Sequence, residues 1–125
     1  MDIPEGILCT GTHEWVILQD DLAFVGLCDL KINSMGDIVE VDLPDVGSSL
    51  EKFETFATVE SVRQAYELSM PVSGTIVEVN EKLINSPELV NEAPFESWFI
   101  KVDCDNYSGD TEGLMEYSDY VDDFS

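Results

Sequence analysis

The apolar positions fall in short runs separated by acidic or glycine- and proline-bearing turns. Trp15-Val16-Ile17-Leu18 and Leu22-Ala23-Phe24-Val25 flank Gln19-Asp20-Asp21, a spacing that predicts a β-hairpin. Asp29 to Ser34 reads as a short helical turn that stops before Gly36. Phe53 to Val62 and Gln64 to Leu68 predict two strands joined by a tight connection, with the tip near Arg63. Pro44-Asp45-Val46-Gly47 and Pro71-Val72-Ser73-Gly74 are turns by composition. Ser86-Pro87-Glu88-Leu89-Val90 carries a capping serine and an early proline, which predicts one helical turn. Trp98 to Val102 is the last predicted strand. Beyond it, Leu114, Tyr117, Tyr120, Val121 and Phe124 recur at helical spacing, which predicts an amphipathic helix over about 110–124.

One segment occurs twice. Gly36-Asp37-Ile38-Val39-Glu40-Val41-Asp42 returns as Gly74-Thr75-Ile76-Val77-Glu78-Val79-Asn80. Each copy places β-branched residues between turn formers, and each is followed by an acidic loop with one leucine, Leu43 or Leu83. Two copies are too few for a solenoid, so the repeat predicts a small β domain built from two related halves.

Charge narrows the partners. The 125 residues carry 27 acidic and 5 basic side chains, a formal charge of −22, with 44% hydrophobic residues. That apolar fraction is enough for a core, so the chain is not a disordered acidic tail. Such a negative surface repels phosphate, which argues against nucleic acid and anionic membranes as partners. No apolar stretch is long enough to insert in a membrane. Met1-Asp2-Ile3-Pro4-Glu5 has neither a basic n-region nor an apolar run, so the expected location is the cytoplasm or the mitochondrial matrix, not the secretory route. Cys9, Cys28 and Cys104 are three widely spaced cysteines and are expected to be reduced thiols.

Catalytic constellations are missing from the pattern. His13 is the single histidine; with Glu14 it could form a ligand pair, but a half-buried histidine at a strand entry is the simpler reading. Asp103-Cys104-Asp105 starts like a calcium loop but has Ser108 and Leu114 where glycine and glutamate belong. No metal site and no enzyme activity are expected. Arg63 is the one cation of the predicted tip, and its simplest role is neutralising Glu60 or Glu67.

Larger pieces resemble a known family. Thr12-His13-Glu14-Trp15-Val16, Asp42-Leu43-Pro44-Asp45-Val46-Gly47, Val59-Glu60-Ser61-Val62, Met70-Pro71-Val72-Ser73-Gly74 and Ser86-Pro87-Glu88-Leu89-Val90-Asn91 stand in the order and spacing of the glycine cleavage system H protein family. The resemblance implies a mainly β fold of lipoyl type, a barrel-sandwich hybrid with two small sheets about a pseudo-twofold axis, short helices and a C-terminal helix. It implies one domain over 1–125, with its core at about 12–102 and the acidic helix at about 110–124. Gly47 and Gly74 stand at the spacings of the glycines that frame a lipoyl hairpin, with Glu60 beside the tip.

The resemblance also exposes a departure. The family joins lipoate as an amide to a lysine at the hairpin tip. The arm takes an aminomethyl group from the decarboxylase, presents it to the aminomethyltransferase, and is reoxidised by dihydrolipoamide dehydrogenase. Here that position is Arg63, whose delocalised guanidinium stays protonated and is a poor nucleophile. Lys31, Lys52, Lys82 and Lys101 fall in other predicted elements, away from the tip. The following run, Gln64-Ala65-Tyr66-Glu67-Leu68, also departs from the family, which points to a natural paralogue and not a laboratory change. The expectation is therefore an H-like protein with Arg63 unmodified and no cofactor, acting through contacts as a structural subunit or regulator. Its partners would be larger proteins with basic surfaces, either glycine cleavage components or another assembly. The alternative is a lipoyl carrier that shuttles the aminomethyl group.

Overall fold

The computed structural model describes residues 3–125. The first half runs β1 (Leu8–Cys9), β2 (Glu14–Gln19), β3 (Leu22–Leu27), α1 (Asp29–Met35), β4 (Ile38–Asp42), β5 (Ser49–Leu50) and β6 (Thr55–Ser61). The second runs β7 (Ala65–Ser69), β8 (Gly74–Val79), α2 (Lys82–Asn85), α3 (Leu89–Glu92), β9 (Ile100–Cys104), α4 (Tyr107–Asp110), β10 (Met115–Glu116) and α5 (Tyr117–Phe124). Two antiparallel sheets result, one in the order β10-β1-β2-β3-β9-β8-β5 and one in the order β4-β6-β7. The two copies of the repeat are β4 and β8, one in each sheet, which is how a duplicated half builds a two-sheet fold.

The apolar runs of β2 and β3 are continuous because both faces of this hairpin are covered. Val16, Ala23, Val25 and Leu27 enter the main core between the sheets. Trp15 and Ile17, on the opposite face, enter a second cluster with Cys9, Cys28, Phe95 and Tyr120. Gln19 pairs with Leu22, so the connection is Asp20-Asp21, with φ of +52° and +65°. That is the tight turn that suits the right-handed twist of a hairpin, and aspartate tolerates it. Gly26 stands opposite Trp15; a Cβ there would come within 2.4 Å of the indole ring.

Three sequence expectations need adjustment. The strand predicted from Phe53 begins only at Thr55, because Phe53 takes a left-handed φ of +79°. Ser86 ends α2 rather than capping a helix through its side chain; its carbonyl accepts from Leu89 N as the chain enters α3. The helix predicted over 110–124 is split. Gly113 turns left-handed (φ +83°), Met115 and Glu116 pair with β1, and only Tyr117–Phe124 is helical.

Candidate functional site

The β6–β7 hairpin rises from the smaller sheet, with Glu60 paired to Ala65 just below its tip. Ser61 builds the turn. Its Oγ accepts from Arg63 N and Gln64 N, both at 3.1 Å, and its N–H donates to Gln64 O at 2.8 Å. A serine does this because its short hydroxyl reaches backbone two and three residues on. The tip is braced from outside: Val62 N donates to Asp37 O at 3.2 Å. Asn91, on α3, holds the start of β4, accepting from Ile38 N and donating to Gly36 O. Arg63 is exposed at the apex, its guanidinium passing beside Gly36, with Nη1 3.4 Å from Ser34 O.

The four residues expected to form the site do not gather. Arg63 and Glu60 share the tip, but Gly74 lies in the larger sheet and Gly47 in a loop that leads into it. Gly47 takes φ +95° in the loop before β5 and donates to Ile76 O at 2.7 Å. Gly74 opens β8 so close to β9 that a Cβ would meet the Asp103 carbonyl. Both are glycines for backbone reasons. Arg63 forms no ion pair with Glu60 or Glu67; among the described residues the ion pair is Lys101 to Glu78, at 2.9 Å.

Lys31 is nearer the hairpin than its place in the sequence suggests. It projects from α1, and its Nζ lies 4.2 Å from the ring centroid of Tyr66, on β7. The Tyr66 hydroxyl donates to Thr12 O, and burial first, then the charge of Glu14, pushes its pKa up to about 12.

Beside this hairpin lies a carboxyl group that sequence reasoning left as half of a ligand pair. Glu14 is fully buried. Its Oε1 accepts from the hydroxyls of Thr10 and Thr12, at 2.7 and 2.5 Å, and its Oε2 accepts from Ser69 N at 3.0 Å. Burial raises its pKa, while these hydrogen bonds pull the other way. The signal was present as two threonines at alternate positions before a glutamate that opens an apolar strand. His13 turns elsewhere, its Nδ1 2.7 Å from the Tyr120 hydroxyl, so the two do not form a ligand pair. Among the described residues no group of histidine, cysteine and carboxylate side chains could hold a metal ion. A cleft of about 330 Å³ opens beside Glu14, walled by Thr12, Phe53, Met70, Pro71 and Leu114.

A two-sheet β fold that braces one hairpin and holds its tip out to solvent has the build of a carrier-type domain. Comparison with known proteins makes this specific. The family model described as Glycine cleavage H-protein matches residues 7–125. A glycine cleavage system H protein of Clostridium botulinum (strain Loch Maree / Type A3) is 45% identical over 108 residues, 86% of this chain and 83% of that protein. One of Bacillus subtilis (strain 168) is 43% identical over 121 residues, 96% of this chain and 94% of that protein. The crystal structure of a glycine cleavage system H protein from Mycobacterium marinum superposes with a TM-score of 0.86 at 29% identity, covering 97% of this chain and 98% of that one. The chain belongs to the glycine cleavage H-protein family, whose members are non-catalytic carriers with the lipoyl-type barrel-sandwich fold.

Family membership corrects one expectation. The reading that no cofactor is involved does not stand, because the family to which the chain belongs carries covalently attached lipoate. At the tip the fit is divided. The hairpin and its bracing suit the presentation of an arm, but Arg63 offers no amine for an amide bond, and no transfer step is derived through it. No helix among the described residues is long and apolar enough to cross a membrane.

Proposed function

We propose that this chain serves the glycine cleavage system as its H protein, a carrier that takes an aminomethyl group from one enzyme and presents it to the next. It works as one domain over residues 1–125, in a compartment of reduced thiols, the cytoplasm or the mitochondrial matrix. The observation that carries this reading is the braced hairpin. Ser61 forms the turn, the Asp37 carbonyl braces Val62 from outside while Asn91 holds the start of β4 behind it, and Arg63 at the apex faces solvent. The partners are the larger enzymes of the system, met through basic surfaces that the acidic charge attracts and orients.

One atom favours a second reading, a role exerted through docking contacts. Arg63 presents a guanidinium where an acyl amide needs an amine. Intact mass of the protein from its native source, followed by peptide mapping, separates the two. A lipoyl increment on a lysine is expected from the carrier reading, and Lys31, with its amine over Tyr66, is the first position to inspect. A bare chain that still binds the cleavage enzymes would overturn carriage in favour of docking.

A further inference from the structure

Phe53 combines two features that burial does not explain, its ring meeting the Lys52 ammonium, 5.1 Å from the ring centroid. It is the most exposed large apolar side chain among the described residues, 76% open to solvent. Its backbone also takes φ +79°, a conformation disfavoured for every residue that carries a Cβ. Glycine would make this turn without strain, and the ring gains little burial in return. The turn is nevertheless rigidly held. Phe53 N donates to Met70 O at 2.9 Å, and Met70 N to Glu54 O at 2.8 Å. Lys52 N donates to Ser73 Oγ at 2.9 Å, and Lys52 Nζ donates to Asp110 O at 2.7 Å.

Strain that a structure preserves at a displayed side chain points to a contact made outside the molecule. Rigid exposed aromatics are the residue type that anchors protein interfaces. Inward from the ring, the buried Met70 and Pro71 and the half-buried Leu114 wall the cleft. The carboxylates of Glu51, Glu54 and Glu112 are exposed around it. We propose that Phe53 is the anchor of a protein-docking surface, seated in an apolar socket rimmed by lysine and arginine on the partner. The turn lies at the foot of the β6–β7 hairpin, seven strand residues from the tip. A partner that grips Phe53 would meet the apex as a second contact about 20–25 Å away. This inference rests on the functional reading above, which supplies the candidate partners.

The test titrates the purified glycine cleavage enzymes of the same source against the full-length protein and its Phe53→Gly and Phe53→Ala variants. Both variants are expected to weaken binding to at least one enzyme by about tenfold or more. Phe53→Gly should do so with a Tm no lower than wild type, because glycine relaxes the left-handed backbone. Wild-type binding that both variants retain within about twofold would overturn the anchor and leave the functional reading standing. Wild-type protein that binds none of the enzymes would overturn both.

Discussion

A carboxyl group cut off from water needs partners for its oxygens, and Glu14 finds them in Thr10, Thr12 and the Ser69 N–H. These bonds tie the entry of β2 to the end of β7, so the residue couples the two sheets. Glu14→Ala leaves the Ser69 N–H and two hydroxyls without their acceptor, and is expected to cost about 2–3 kcal/mol of stability in urea unfolding. The raised pKa gives the residue a pH signature. The folded state holds the proton more tightly than the unfolded chain, whose value is near 4.5. The contribution of Glu14 is therefore full below that value and declines as pH rises through the folded-state pKa. Glu14→Gln should flatten this part of the stability profile, measured as the urea midpoint at pH 4 and pH 7. A variant whose midpoints keep the wild-type slope would contradict the assignment.

At the scale of elements, α5 shows how a helix of two turns is held in place. Tyr120 is buried in the second cluster and meets His13 Nδ1, while the Tyr117 hydroxyl donates to Asp29 Oδ2 at 2.7 Å. Burial first, then the nearby charge of Lys31, lowers the pKa of His13. A depressed histidine pKa means that stability is present above about 6.5 and is lost as pH falls through the folded-state value. His13→Asn, which tolerates the residue's φ of +76°, is expected to reduce the loss of Tm between pH 7.5 and 5.5 relative to wild type. An identical loss in both proteins would contradict it. The helical spacing of Tyr117, Tyr120, Val121 and Phe124 made α5 legible in the sequence. Its start was not, because the left-handed turn at Gly113 and the pairing of Met115 and Glu116 with β1 depend on a partner strand distant in the chain. β1 and α2 were missed for related reasons: one is two residues long, and the other is a single turn.

For the whole molecule, the repeat was the most informative signal. Its two strands are β4 and β8, one in each sheet, so the duplicated pattern was legible as architecture before any contact was known. The hairpin was legible too, since Ser61 and Arg63 bracket a break between two apolar strands. What sequence order could not give was proximity. Gly47 and Gly74 look like a frame for the tip but serve the other sheet, and Lys31 looks remote but reaches Tyr66. The excess of acid spreads over turns and α5 and leaves the tip with one exposed cation, Arg63. Arg63→Lys, co-produced with a lipoyl ligase and examined by intact mass and peptide mapping, tests whether the apex of the β6–β7 hairpin is the place where a lysine-linked group would be presented. A lipoyl increment mapped to residue 63 is the expected result; a folded Arg63→Lys protein that remains bare would contradict the account.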